Sequence, residues 1–462
     1  MRMIIQNLGV VETAKLEVGD LTIVCGNNNL GKTYVTYAFY GMLKFLRTAF
    51  AIIPISQKNV AELVENAETT ISLKPILEDI PKLFRTASVN FSKNLAEVFA
   101  ADKAHFEQAR FSLEIAVPTY SLYKDFSTEV SYGRNGPKLN FSFSSTKMEV
   151  HIRQEGQPIG DSAPQDVVSL IISDVIRDYL IKPLIPDVYI SSTERTGVVS
   201  FQRELDFTRN RLLELVGKRA KDVTAGLLFT KFHSDYPLPV RDNVDFIRNL
   251  PNIAGKEGVL ASKYPEILDA LKDIIGGSYK ATKDGFVSYM PARGVKLRIA
   301  ESSSSIRSLL DVTFYIRHVA KPGDIFMIDE PELNLHPSNQ RKIARLIARL
   351  VNCGIKVFMT THSDYIVKEI NTLLLLKQQG EGYKKIAIEE KYSEAELLDA
   401  SRVKVYVAAN CLERKQGNTR KSRCQTFSSA SVTQDMGIEI ESFDKTIDEM
   451  NRIQDRIFWE VK

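Results

Sequence analysis

The chain has 462 residues, enough for one large domain with insertions or for two to three ordinary ones. With 61 basic and 57 acidic residues the net charge is +4, too near balance to argue for nucleic acid or a membrane surface, while 44% hydrophobic content allows a sizeable core. The four cysteines, Cys25, Cys353, Cys411 and Cys424, stand far apart without CxxC spacing, which speaks against a disulfide framework or zinc site and for a reducing, cytoplasmic setting.

In chain order, the first 25 residues read as three short strands, "MRMIIQNL", "AKLEV" and "LTIVC", rather than a signal peptide. A glycine-bounded loop follows, then a helix over "TYVTYAFYGMLKFLRTAF". Residues 58–110 read as helical, and 111–152 switch to period two in "FSLEIAV", "LNFSFSS" and "KMEVHIR", with "YGRNGP" as the turn between antiparallel strands. Helices are expected over 165–182 and 201–221, flanking a strand "DVYIS", and again over 241–277 with a break at Pro251. Two short strands, "GFVSYM" and "VKLRI", lead into "ESSSSIRSLL" and a helix over 306–320. Then come the turn "KPGD", the buried-type strand "IFMID", a helix with Ile343, Leu346, Ile347, Leu350 and Val351 on one face, and the strand "KVFMTTH". The tail holds two further strand-like runs and a terminal helix, and no window approaches 18 apolar residues, so no membrane span or membrane partner is expected.

Three motifs carry chemistry. "GNNNLGKT" fits GxxxxGK[ST], in which Gly26 and Gly31 let the backbone turn its amides, from Asn27 through Asn28, Asn29 and Leu30, toward phosphate oxygens. Lys32 supplies a cation to the same oxygens, Thr33 offers a hydroxyl to Mg2+, and Tyr34 opens a helix whose positive end faces the anion. In "IFMIDEPELNLHP" an apolar strand ends in Asp329, suited to hold Mg2+, followed by Glu330, suited to polarise or deprotonate a water. In "KVFMTTHSDYI" a second buried strand delivers His362, which an open α/β sheet would set in the same crevice as the phosphate loop. These residues point to ATP and Mg2+ as cofactors.

Together "GNNNLGKT", "IDEPELNLHP" and "TTHSDYI" resemble the ABC-type ATPase heads of the OLD type, relatives of SMC-like heads often described as AAA family ATPases. The resemblance covers roughly residues 1–50 and 285–375 and is weak over 60–280. It implies an α/β ABC-ATPase-type head with a mixed β-sheet bearing the P-loop, an antiparallel β subdomain and a helical insertion lobe. The corresponding division is 1–57 for the N-terminal lobe, 58–280 for the insertion, 281–383 for the C-terminal lobe and 384–462 for closing strands and helix. In such heads a signature helix presents serine hydroxyls and amides to ATP held by the opposite subunit, and Ser303, Ser304 and Ser305 would take that part, with Ser305 where the family usually has glycine. Asn334, and less clearly His336, resemble the loop that crosses between subunits. For Arg195 in "YISSTERTG" a nucleotide contact, a contact with the second subunit and a structural ion pair all stay open.

The resemblance implies an ATPase that forms a homodimer or higher homo-oligomer around ATP. The tail is too short and too poor in clustered acids for a Toprim nuclease domain, so a separately encoded effector, a nuclease or toxin, is expected, as with PtuA-like and AriA-like subunits of bacterial anti-phage systems. The alternative is an SMC-like repair or chromosome-organising ATPase that binds DNA, for which the basic runs at 207–222 and 412–423 speak. A hydrolysis-poor scaffold is a third reading, motivated by Ser305.

Overall fold

Short strands whose residues are buried on both faces, and helices with one apolar stripe, organise this chain. The computed structural model describes residues 1–50, 52–115, 122–131, 138–156, 165–201, 236–282, 287–414 and 421–460. The helix expected over 201–221 and the turn at 132–137 lie outside them. The strands are β1 (Arg2–Leu8), β2 (Val11–Glu17), β3 (Leu21–Gly26), β4 (Glu68–Ser72), β5 (Arg110–Glu114), β6 (Phe126–Ser131), β7 (Lys138–Ser144), β8 (Glu149–Glu155) and β9 (Val188–Ser191). They continue with β10 (Ser278–Ala281), β11 (Val287–Met290), β12 (Leu297–Arg298), β13 (Ile325–Asp329), β14 (Lys356–Thr361), β15 (Val403–Arg414), β16 (Lys421–Ser429), β17 (Ser431–Thr433) and β18 (Gly437–Glu439).

The chain divides into two compact units, one of residues 1–2, 42–92 and 112–187, the other of 3–41, 93–111 and 188–462. The first holds a four-stranded antiparallel sheet in the order β4-β8-β7-β6. Its apolar face follows the expected alternation, with Leu139, Phe141 and Phe143 of β7 and Val150 and Ile152 of β8 buried. The fully helical reading of 58–110 needs one correction. β4 sits inside it, between the helices Gln57–Asn66 and Lys74–Lys93. Thr69, Thr70 and Ile71 are β-branched and favour a strand, and pairing with β8, some eighty positions later, holds them in one.

The second unit is built on a mixed sheet in the order β5-β1-β2-β16-β15-β3-β14-β13-β9. β15, β3, β14, β13 and β9 run parallel, so β3, β13 and β14 direct their carboxyl ends to one edge. Every residue of β3 and β13 is buried, as strands covered on both faces require. The class is α/β, as expected. The helix Pro337–Asn352 connects β13 to β14 and buries Ile343, Leu346, Ile347, Leu350 and Val351, each contributing about 1.5–3 kcal/mol. The expected single helix over 306–320 is two, Ser304–Ser308 and Leu310–His318, separated at Leu309.

Widely spaced cysteines argued against disulfides, yet Cys424 is disulfide-bonded, and the β15–β16 register sets it directly opposite Cys411. A hairpin joins what linear spacing separates. Cys25 and Cys353 are free thiols. No helix among the described residues is long and apolar enough to cross a membrane.

The polar side of the helix Pro337–Asn352 anchors the tail. Arg345 Nη2 and Arg349 Nη2 lie 2.8 and 2.9 Å from the carboxylate of Glu396, which is 2% exposed. Burial by itself would push this carboxyl up, but the bonds from Arg345, the Ser393 amide and Arg349 outweigh it and hold the group below its ordinary range. Its contribution to stability is therefore present above the unfolded-state value of about 4.3 and is lost as pH falls through the lower folded value. Glu396→Gln leaves two guanidinium groups without their counter-ion and is expected to cost about 3–5 kcal/mol at pH 7, with the deficit shrinking below pH 4. Urea unfolding at both pH values measures this, and a pH-independent deficit would refute the assignment.

Candidate functional site

β3 ends in Gly26, and the loop to the helix Lys32–Ala49 turns back on itself through left-handed conformations at Gly26 (φ 115°), Asn29 (φ 61°) and Gly31 (φ 87°). The glycines are also demanded by crowding. A Cβ on Gly26 would lie 2.7 Å from the Ala408 carbonyl oxygen, and one on Gly31 2.4 Å from Val11 Cγ2. Asn27, Asn28 and Asn29 are exposed, whereas Leu30 is buried as the anchor of the loop. Lys32 is buried, and its Nζ donates to the carbonyls of Gly26 (3.0 Å) and Asn27 (2.7 Å), so the ammonium lies against the loop's own backbone. Burial lowers its pKa, and the charges of Glu330 and Asp329 oppose that shift. Thr33 is exposed. The Tyr34 ring packs 5.0 Å from that of Phe99 and covers Gly9. A cavity of about 490 Å³ flanks the loop, lined by Val10, Glu12, Asn28, Asn29, Leu30 and residues of β15 and β16, a size that suits a small ligand.

The register pairs Asp329 with Thr360 and Thr361 with Cys25, which brings the second and third motifs beside the first. Asp329 is 1% exposed. Its Oδ1 accepts from the Thr360 hydroxyl, while its Oδ2 is buried without a hydrogen-bond partner. Burial pushes this carboxyl up to about 6, against the Thr360 bond and with help from the Glu330 charge. A buried carboxylate oxygen lacking a donor is what a cation would satisfy, so the donor set of Thr33 and Asp329 fits Mg2+.

Glu330 adopts φ 51°, unusual for a residue with a side chain, and its amide donates to Thr360 Oγ1 at 3.1 Å. Its Oε1 lies 3.5 Å from His362 Nε2. His362 also bonds to the Gly26 backbone, and burial together with the Lys32 charge lowers its pKa, so the ring is neutral at neutral pH. The fold thus gathers Gly26, Lys32, Asp329, Glu330 and His362.

Sequence reading passed over Glu332. Its carboxylate accepts from the His362 amide (2.6 Å) and the Thr361 hydroxyl (3.0 Å), which fixes the turn that presents the histidine. A third acid, two positions past Glu330, was the available signal. Arg195 is 1% exposed and donates to four backbone carbonyls, those of Ser192, Ser308, Asp329 and Glu330, with Asp311 and Asp329 among the charges that oppose it.

Ser303 holds the N-cap position of the short helix Ser304–Ser308 without capping it; its hydroxyl is 2.8 Å from that of Ser305. Ser308 Oγ donates to the carbonyls of Ser305 and Leu333, linking the serine run to the turn after β13. Asn334, at φ 61°, donates to Thr196 Oγ1 at 3.4 Å. His336 is a helix cap, accepting from the Ser338 amide at 3.3 Å.

A family model described as an AAA ATPase domain matches residues 202–367, a span that takes in the serine run, Asp329, Glu330 and His362 but not the Gly26 loop. Over that span the chain is similar to an ATPase domain in this general sense. No curated protein matches the chain by sequence. Solved structures that resemble it include an Smc head bound to the C-winged helix domain of ScpA, at 11% identity and TM-score 0.33, covering 94% of this chain and 98% of that one. Others are the Smc head domain with an extended coiled coil bound to the C-terminal domain of ScpA from Pyrococcus furiosus (12%, TM-score 0.31, 98% of each chain) and the SMC head domain from Thermotoga maritima (9%, TM-score 0.30, 93% and 98%). At such scores the strand order, not the likeness, carries the fold.

Proposed function

We propose that this chain is an ABC-type head that binds ATP with Mg2+, hydrolyses it slowly and pairs with a second copy of itself around the nucleotide. The observation that carries the reading is the meeting of Lys32, Asp329, Glu330 and His362 at the carboxyl ends of three adjacent parallel strands, with Asp329 Oδ2 buried and unpartnered. Lys32 would exchange its two loop carbonyls for phosphate oxygens, while the amides of Asn27 to Thr33 bind the same group. Thr33 and Asp329 would hold magnesium, whose positive charge would be supplied against the phosphates. Glu330 orients the attacking water and takes its proton, and His362, beside Glu330 and against the Gly26 backbone, would sense the terminal phosphate. Ser303, Ser304, Ser305 and Asn334 would complete the partner copy's site.

The finer reading, that nucleotide-driven opening and closing regulates a separately encoded nuclease or toxin in anti-phage defence, rests on the sequence resemblance. Pairing is tested by analytical ultracentrifugation of Glu330→Gln with ATP and Mg2+. A shift from monomer to dimer is expected, abolished by Ser304→Arg, whose side chain would block the serine tip. A chain that dimerises equally with arginine at that position would refute completion in trans.

A further inference from the structure

We propose that Arg195 is a positioning residue for hydrolysis, gripping the backbone of Glu330 so that its carboxylate keeps the direction chemistry needs. The proposal rests on the reading of Glu330 given above. Arg195 begins the short helix Arg195–Ser200 after β9 and is among the largest fully buried side chains of the protein. A guanidinium withdrawn from water must have its donors met, and here they meet main-chain oxygens: Nε to Ser308 (3.0 Å), Nη1 to Ser192 (2.8 Å) and Asp329 (2.7 Å), Nη2 to Glu330 (2.6 Å). The largest opposing charge acting on it is that of buried Asp311, itself held by the hydroxyls of Ser191 (2.6 Å) and Tyr189 (3.1 Å).

Two of those oxygens belong to Asp329 and Glu330. Glu330 occupies the left-handed region, a conformation that a side-chain-bearing residue keeps only where its surroundings over-determine it. Here both ends are held: Thr360 Oγ1 takes its amide proton, and Arg195 takes its carbonyl. Released from the second grip, the residue would relax toward a common backbone conformation and carry its carboxylate away from His362 Nε2. The bond to Ser308 ties the serine-bearing helix to the same guanidinium, and Ser308 Oγ reaches the Leu333 carbonyl beyond Glu330. A planar fork of five donors suits this arrangement; a lysine ammonium, with three donors on one atom, cannot serve all four carbonyls.

The test is a double-mutant cycle of Arg195→Lys with Glu330→Gln, read as steady-state ATP hydrolysis by the full chain. If Arg195 acts through Glu330, Arg195→Lys lowers kcat at least about tenfold with KM for ATP held within about threefold, and in the Glu330→Gln background it has no further effect beyond about twofold. Arg195→Gln, which brings no charge of its own into the interior, is expected to behave likewise, and thermal melts establish that each variant is folded at the assay temperature. Equal losses in both backgrounds, or a loss confined to KM, would overturn the proposal. So would failure of both variants to fold, which would make Arg195 a purely structural staple. A wild-type rate in Glu330→Gln alone is a different outcome: it removes the catalytic reading of Glu330 itself, and this proposal with it.

Discussion

Glu330→Gln is expected to lower kcat for ATP hydrolysis about 10²- to 10⁴-fold while ATP affinity stays within about threefold of wild type. In barrier terms this is about 2.7–5.4 kcal/mol, the share a positioned base supplies in the transition state alone. The physical ground is the separation of tasks at the end of β13. Asp329 is buried, bonded to Thr360 through Oδ1 and without a donor at Oδ2, whereas Glu330 projects beside His362 with a third of its side chain open to solvent. Glutamine keeps the shape of the side chain but cannot accept a proton. Phosphate release and equilibrium binding of a fluorescent ATP analogue, measured on one preparation, separate the two effects. Hydrolysis at the wild-type rate would remove Glu330 from the chemistry.

Lys32→Ala is expected to act on binding instead. Lys32 is buried against Gly26 and Asn27 and faces the charges of Glu330 and Asp329, so it is the cation at hand when a polyphosphate enters the loop. Truncating one partner of a desolvated charge pair costs about 2–5 kcal/mol, roughly thirty- to several-thousand-fold in Kd. Isothermal titration with a non-hydrolysable ATP analogue and Mg2+ measures it directly. The alanine variant should fold, because the Lys32 amide and the helix it begins are retained; unchanged affinity in that variant would mean that the Gly26 loop does not hold nucleotide. The two variants together divide the site into a part that grips and a part that reacts.

Much of this candidate site is legible in the sequence. "GNNNLGKT", "IFMIDE" and "KVFMTTH" each announce a strand and the residue at its end, since continuous apolar runs bounded by glycine or acid form strands buried on both faces. That determined the α/β class and the positions of Lys32, Asp329, Glu330 and His362. Other features depended on partners far away in the chain. β4 exists because β8 pairs with it, Cys424 faces Cys411 because a hairpin folds them together, and His336 turned out to cap a helix.

The roles of Glu332 and Arg195 were decided only by the tertiary structure. Glu332 serves a histidine thirty positions on, and Arg195 serves carbonyls more than a hundred positions on, and both bind main-chain atoms that every residue possesses alike. A sequence records side chains, so it determined which groups could do chemistry here; it does not record which backbone oxygens and amides will be brought within reach, and those set how the groups are held.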